Sequence, residues 1–267
     1  MVIIISRRYS QKMVNDSPSL NHADVGIAMG SGTSVAKEAS DIVLLDDAFP
    51  SIILGIKWGR SLYKDIQGFL VYQLIINVAV CLAVLFGPIL GVDMPFTVTQ
   101  MLWVNIVMDS IGAICLASEP ADENVLNDKP RKSGAFIITK PMYKTILGFG
   151  IAIFILLSII VYDIAQGSAW FGLDLTELFA VFMAVNWWNI FNIRVFGKNR
   201  SIFHGIFNNK MFVWGSIIML LGTILIVQFG GEVFSTRPLD FKEWCIILAA
   251  TSPIVIIREI WWRLTHK

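Results

Sequence analysis

The hydrophobic and polar positions divide the chain into a mixed N-terminal part and a series of long apolar runs. Between Asp65 and Asp93 no residue is charged, and these 27 residues exceed the roughly 20 that a helix needs to cross a bilayer. Five further apolar runs follow, separated by more polar connections. The predicted spans are residues 66–92, 95–118, 146–162, 178–193, 211–229 and 244–257. The pattern predicts a mainly α-helical protein built on a six-helix transmembrane bundle.

The part before the first span has a different pattern. Two short runs of apolar and β-branched residues, Asp24–Met29 and Asp41–Leu45, indicate strands, and Thr33 or Ser34 can cap a short helix between them. The intervening GSG sequence favours an ordinary tight turn over a phosphate-binding loop, because the third glycine of that motif is absent. We therefore expect a small α/β unit, followed by a helical stalk at residues 51–65.

Composition and charge agree with a membrane protein. Of the 267 residues, 55% are hydrophobic and 15% are charged, and the mean hydropathy is +0.67. The net charge of +1 gives no reason to expect a nucleic-acid partner, so the expected partner is the lipid bilayer. With six spans drawn, all lysines and arginines except Arg237 and Lys242 fall on the side of the N-terminus. The positive-inside rule then predicts that both chain ends are cytoplasmic.

The second predicted span contains a polar pair. Asp109 is its only carboxylate, and a charge at the centre of a membrane helix costs a few kcal/mol. Asn105 precedes it by four residues, a spacing that places the two side chains on one face of a regular helix. Oxygen ligands suit hard cations such as Ca²⁺. This pair is therefore the leading candidate for a cation site.

Several segments resemble the P-type ATPases. The N-terminal part is similar to the end of that family's phosphorylation domain at residues 15–20 (NDSPSL), 23–30 (ADVGIAMG) and 35–44 (VAKEASDIVL). The remainder resembles the last six membrane helices of calcium pumps, most closely the plasma-membrane type. Its matching segments are residues 102–105 (LWVN), 108–109 (MD), 119–120 (EP), 131–136 (RKSGAF), 205–209 (GIFNN) and 226–231 (IVQFGG). The resemblance covers the chain from about Val14 to its end.

The resemblance implies an ATP-driven pump that exports Ca²⁺ across the plasma membrane, with Mg²⁺ and ATP used by the intact protein. It implies that Asn105 and Asp109 bind the transported Ca²⁺ and that Asn77 and Asn186 are further candidate ligands. Without the resemblance, interhelical hydrogen bonding would explain the last two equally well. Val80 and Asn186 stand where two-site pumps of the family have acids. The resemblance therefore implies one Ca²⁺ per cycle.

The phosphorylation machinery is incomplete in this sequence. In the family a Gly-Asp-Gly whose aspartate holds Mg²⁺ comes just before the Asn-Asp pair, but here Gln11, Lys12 and Met13 occupy those places. Because a lysine cannot coordinate Mg²⁺, Asn15 and Asp16 are expected to be a retained but incomplete part of the catalytic motif. The Asp-Lys-Thr-Gly phosphorylation motif does not occur in the sequence. We therefore expect the isolated chain to bind neither Mg²⁺ nor ATP and to have no ATPase activity.

The resemblance also divides the chain into domains. Residues 1–13 have no match, residues 14–50 are a remnant of a HAD-like phosphorylation domain, residues 51–65 are a stalk helix and residues 66–267 are the membrane domain. The whole looks like the C-terminal part of a pump, for which an N-terminal pump half is the expected protein partner. Two other classes stay open. One is a stand-alone six-helix cation channel or carrier, and the other is a non-transporting membrane subunit that binds a pump.

Overall fold

The computed structural model describes residues 3–6, 17–129, 135–198 and 200–265. Asn15 and Asp16 lie outside these described residues. The chain is mainly helical, as predicted. Its strands and α-helices are β1 (Ile3–Ser6), α1 (Ser17–His22), β2 (Val25–Met29), α2 (Ser34–Glu38), β3 (Ile42–Leu44), α3 (Phe49–Leu90), α4 (Val98–Leu102), α5 (Asp109–Ala117), α6 (Lys140–Ala165), α7 (Leu175–Arg194), α8 (Lys210–Phe229), α9 (Gly231–Phe234), α10 (Phe241–Thr251) and α11 (Pro253–Thr265). A π-helical turn covers Trp103–Met108, and 3₁₀ turns cover Glu123–Asn127 and Ile206–Asn208.

The chain forms two compact units. One comprises Met1–Tyr63 with Ala121–Ile137, and the other comprises Lys64–Pro120 with Ile138–Lys267. The first unit contains a three-stranded parallel sheet in the order β1-β2-β3. Its core consists of apolar side chains from β2 and β3 together with one from the start of α3: Ile27, Met29, Leu44 and Ile52.

The predicted strand, helix and strand of the first unit are confirmed locally. Thr33 caps α2, since its Oγ1 accepts a hydrogen bond from Ala36 N at 3.3 Å. The GSG sequence forms a tight turn in which the Ser31 N–H donates to Asp47 Oδ1 at 3.1 Å. Hydrogen bonds from Ser31 hold the pKa of the Asp47 carboxyl below its usual range. Strand β1 was not predicted, and the descent of this unit from a HAD-like domain stays a prediction.

Helix α7 is the central helix of the second unit. Sixteen of its 20 residues are buried, and it contacts α6, α8, α10 and α11. Within the described residues, five helical stretches are long and apolar enough to cross a membrane: Phe49–Leu90, Val98–Ala117, Lys140–Ala165, Lys210–Phe229 and Phe241–Leu264. The predicted fourth span, residues 178–193, falls on α7, which contains three asparagines and is not among the five. The count of six spans therefore stays a prediction.

Two of the apolar stretches are interrupted in ways that the hydrophobic pattern did not indicate. The second predicted span changes from α to π geometry at Trp103 and returns to α geometry at Asp109. The last one is divided into α10 and α11 at Ser252, directly before Pro253. Proline lacks the N–H that would continue the helical hydrogen bonds, which explains the second interruption.

Candidate functional site

Three polar side chains meet inside the second unit, and we call them the buried polar cluster: Tyr72 of α3, Asp109 of α5 and Asn186 of α7. Asp109 is 4% exposed, and the other two side chains are inaccessible. Tyr72 lies close enough to Asp109 and Asn186 to interact with both electrostatically, although its hydroxyl has no hydrogen-bond partner among the described residues. Three helices therefore each contribute one polar group to the same buried place.

Gly112 allows these helices to come together. A Cβ atom at this position would lie 3.0 Å from Cε1 of Tyr72 and 3.7 Å from Cδ1 of Ile190. The absence of a side chain therefore lets the ring of Tyr72 lie against α5, about one turn beyond Asp109. Alanine at position 112 would require the Tyr72 ring to shift by a few tenths of an ångström.

Polar atoms of the cluster lack hydrogen-bond partners. Asp109 Oδ1 and both polar atoms of the Asn186 amide have none among the described residues. Leaving such a buried group unsatisfied costs on the order of 1–3 kcal/mol, so each one needs a physical explanation. Carboxylate and amide oxygens are ligands that Ca²⁺ prefers. The cluster is therefore chemically suited to a hard cation.

The environment of Asp109 supplies no counter-charge. Within residues 17–129, 135–198 and 200–265, no lysine or arginine pairs with this carboxylate. The same part of the chain contains no group of three or more His, Cys, Asp or Glu side chains that could hold a metal ion. A cation bound at Asp109 would therefore depend on neutral oxygens for the rest of its coordination by this chain.

The structure places Asn105 apart from the cluster. Its side chain is exposed, and its Nδ2 donates to Met101 O at 2.9 Å. The expectation of a shared face assumed a regular α-helix, whereas Asn105 lies within the π turn. A π turn forms its hydrogen bonds between residues five rather than four apart, which changes the angle between Asn105 and Asp109. The ligand role of Asn105 stays a prediction.

Asn77 also lies away from the cluster. It follows Tyr72 by five residues on α3, which puts it about 140° round the helix from the tyrosine. Its side chain is half-buried. Of the two further candidates from sequence, the structure therefore brings Asn186, and not Asn77, to the place where Tyr72 and Asp109 meet.

Tyr72 was missed by the sequence analysis. The sequence did contain one indication of its role, a hydroxyl inside the uncharged run 66–92, several residues after Asp65. A tyrosine near the end of a span is also typical of an interfacial anchor. Which way its ring faces depends on helix packing, so the sequence pattern could not distinguish the two roles.

A second buried carboxylate, Glu119, has a full set of partners. Oε1 accepts from Arg194 Nε at 2.6 Å and from Asn209 Nδ2 at 2.9 Å, and Oε2 accepts from Arg200 Nη2 at 2.6 Å. Arg194 also donates to two main-chain carbonyls. We call Glu119, Arg194, Arg200 and Asn209 the Glu119 network. It connects the segment after α5 with the end of α7 and the start of α8, which indicates a structural role.

The apolar helices define a multi-pass membrane protein, and its second unit contains a buried carboxylate with no cationic partner among the described residues. Residues 93–264 match the family described as "Cation transporting ATPase, C-terminus". The chain belongs to this family, and its resemblance to the C-terminal portion of plasma-membrane calcium pumps is confirmed.

Three relatives illustrate the similarity. Plasma membrane calcium-transporting ATPase 2 of Oreochromis mossambicus is 39% identical over 254 residues, which cover 88% of this chain and 22% of the relative. Plasma membrane calcium-transporting ATPase 1 of Mus musculus and ATPase 3 of Homo sapiens are each 39% identical over 249 residues, which cover 86% of this chain and 20% of each relative. The chain therefore spans about a fifth of the length of the curated relatives that it matches.

Proposed function

We propose that this chain is the C-terminal membrane part of an ATP-driven Ca²⁺ pump of the plasma membrane, and that Asp109 is the central ligand of one transported Ca²⁺. The proposal rests on one observation, the burial of the Asp109 carboxylate without a full set of partners. Asp109 is 4% exposed, one of its oxygens has no hydrogen-bond partner, and no cation among the described residues neutralises it. The names of the relatives, which are calcium-transporting ATPases, make Ca²⁺ the preferred cation.

The chemistry of the cluster supports one ion rather than two. Ca²⁺ takes six to eight oxygen ligands and binds carboxylates strongly. Asp109 supplies the charge, and the unpartnered Asn186 amide oxygen and Tyr72 hydroxyl can supply neutral ligands. The position that would hold a second acid on α3 is Val80, which is buried among apolar side chains. Asn77 and Asn105 are proposed as further ligands that join when the helices rearrange during transport.

The remaining features of the proposal concern the whole pump. We place six spans in the membrane, with α7 as the fourth and with both chain ends in the cytoplasm. The unit built on β1, β2 and β3 is the remnant of a phosphorylation domain, and an N-terminal pump half supplies the acceptor aspartate and the ATP site. Asn15 and Asp16 are a retained but incomplete part of the catalytic motif, because Lys12 replaces its Mg²⁺ ligand. Alone, the chain forms no phosphoenzyme.

A complementation experiment tests this proposal. The chain is co-expressed with the N-terminal part of a plasma-membrane relative, and ATP-driven uptake of ⁴⁵Ca²⁺ is measured in inside-out vesicles over a range of free Ca²⁺. We expect Asp109→Asn to lower the apparent Ca²⁺ affinity at least 100-fold, because it removes the charge and keeps the shape. Asp163→Asn is the matched control, since Asp163 is also buried but accepts hydrogen bonds from the Trp170 and Phe171 N–H groups.

The outcomes separate the candidate functions. Wild-type Ca²⁺ affinity in Asp109→Asn, with normal expression, would show that the assignment of Asp109 is wrong. Ca²⁺ flux through liposomes that contain only this chain, without ATP and dependent on Asp109, would favour the stand-alone channel or carrier. Binding to the N-terminal part without restored transport would favour a non-transporting subunit.

A further inference from the structure

The connection between α6 and α7 carries two exposed aromatic rings. It covers residues 166–174, and we call it the aromatic loop. The side chains of Trp170 and Phe171 at its centre are 70% and 56% exposed. Aromatic rings dominate the energetics of contact surfaces, so two adjacent exposed rings indicate that this loop meets something outside the chain.

One buried carboxylate fixes the backbone of the aromatic loop. Asp163, which is 1% exposed, accepts from the Trp170 N–H at 2.8 Å and from the Phe171 N–H at 3.0 Å. An acid in the last turn of a helix lies at the unfavourable end of the helix dipole, and these two N–H groups compensate for that position. The two residues that are held in this way are the two whose rings are exposed. The loop therefore presents both rings from a backbone that is held in place.

Ser168 holds the aromatic loop at a second point. Its φ is 56°, which is a left-handed conformation that residues other than glycine rarely adopt. Its N–H donates to Asp163 O at 2.8 Å, and its hydroxyl donates to Leu173 O. Because these hydrogen bonds stabilise an otherwise unfavourable backbone, the loop has one defined conformation.

The lipid-facing surface of α6 leads directly to the aromatic loop. Four exposed side chains fall within about 80° of one another around the helix axis: Ile151, Ile155, Ile159 and Tyr162. Because α6 is long and apolar enough to cross a membrane, these side chains face acyl chains. The Trp170 ring lies against the last of them, with 6.2 Å between the ring centroids of Trp170 and Tyr162. The lipid-facing surface therefore continues from the helix onto the loop.

The length of α6 places the aromatic loop at the surface of the bilayer. The 26 residues of the helix correspond to about 39 Å at 1.5 Å per residue. This length is close to the roughly 40–45 Å of a bilayer with its headgroup layers, so the loop begins at the level of the headgroups. Trp and Tyr side chains are enriched at this level, because they combine an apolar ring with a polar N–H or O–H group.

We propose that the aromatic loop anchors this end of α6 by inserting Trp170 and Phe171 into the headgroup layer of the bilayer. The Trp170 ring extends the lipid-facing surface beyond Tyr162, and the Phe171 ring inserts beside it. Asp163 is a positioning residue, since it fixes the backbone from which both rings project. This inference concerns one contact with the bilayer and does not depend on Ca²⁺ transport.

A soluble protein partner explains these observations less completely. Such a partner would cover the aromatic loop while acyl chains cover the adjoining face of α6. The contact between the rings of Trp170 and Tyr162 makes these two surfaces continuous. The bilayer covers both surfaces without a further component.

Paramagnetic relaxation in nanodiscs tests the position of the Trp170 ring. The full chain is labelled with fluorotryptophan and reconstituted in phosphatidylcholine nanodiscs, and Trp170→Phe identifies the ¹⁹F resonance of this residue. A nitroxide is placed on the fifth or on the sixteenth carbon of the acyl chain, or on a soluble compound. We expect the fifth-carbon lipid to raise the relaxation rate of Trp170 at least threefold more than the sixteenth-carbon lipid does.

Trp58 is the matched control for this measurement. Its side chain is 52% exposed, and it lies on the predicted stalk, seven residues before Asp65. We expect its resonance, identified with Trp58→Phe, to respond to the soluble nitroxide and not to either lipid. The same response from Trp170 would place its ring in water and overturn the proposal in favour of a soluble partner. A larger effect of the sixteenth-carbon lipid on Trp170 would also overturn it, because the ring would then lie in the hydrocarbon core.

A variant tests the positioning role of Asp163. Asp163→Ala removes the acceptor of both N–H groups, so the threefold preference of the Trp170 resonance should be lost. Asp240→Ala is the control, since it removes a carboxylate that caps α10 instead, and the preference should remain. Thermal unfolding in the same nanodiscs reports whether each variant is folded. An unchanged preference in folded Asp163→Ala would show that Asp163 does not position the rings.

Discussion

Glu119 and Asp109 are two carboxylates with nearly the same burial and opposite surroundings. Glu119 is 2% exposed and accepts three hydrogen bonds from Arg194, Arg200 and Asn209. Asp109 is 4% exposed, and one of its oxygens has no partner among the described residues. Burial alone therefore does not distinguish an acid whose oxygens have partners from an acid that the fold leaves without them. The number of partners that the fold provides does distinguish them.

The largest effect on stability is expected for Glu119→Ala. The substitution leaves the buried Arg194 guanidinium without its counter-charge, and breaking a buried pair in this way costs about 3–5 kcal/mol. The free energy of unfolding from a reversible SDS titration of the purified chain would measure the loss. Arg200→Gln is the control, because the Arg200 side chain is 23% exposed and its removal should cost much less. Equal losses in both variants would contradict the central place of Arg194 in the Glu119 network.

A smaller loss is expected for Asn209→Ala. The Asn209 side chain donates to Glu119 at 2.9 Å and accepts from Phe212 N at 3.0 Å as the cap of α8. Losing a cap and a hydrogen bond to a charged group should together cost about 2 kcal/mol in the same titration. Asn209→Asp would restore the cap but place a second negative charge beside Glu119. We expect it to be no more stable than the alanine variant, and a recovery to wild-type stability would show that the cap dominates.

The smallest change, and one of opposite sign, is expected for Asp109→Asn without Ca²⁺. This variant removes a buried charge that has no cationic partner, so the chain should be as stable as the wild type or more stable by about 1–2 kcal/mol. Added Ca²⁺ should raise the unfolding temperature of the complemented wild-type pump and leave that of the variant unchanged. A clear loss of stability in the Ca²⁺-free variant would place Asp109 with Glu119 among the structural acids.

The sequence predicted those features that depend on local pattern. Long apolar runs located five helical stretches that are long enough to cross a bilayer, since the bilayer sets a minimum helix length. Asp109 was recognisable as the isolated charge of its run. The features that depend on helix packing were not predictable. Which helices are neighbours decides three of these features. They are the direction of the Tyr72 side chain, the buried position of α7 and the unpartnered atoms of Asn189 and Asn192. The π turn at Trp103–Met108 also has no signal in the hydrophobic pattern.

The π turn sets the angle between the two parts of the second span. It accommodates one residue more than a regular turn, so its conversion to α geometry would rotate one part of the helix against the other by about 100°, the angle of a single residue. Asn105 lies within the π turn and Asp109 lies just after it. The angle between these two side chains therefore depends on the geometry of this one turn, and an α-helical turn in its place would give them a different relative direction.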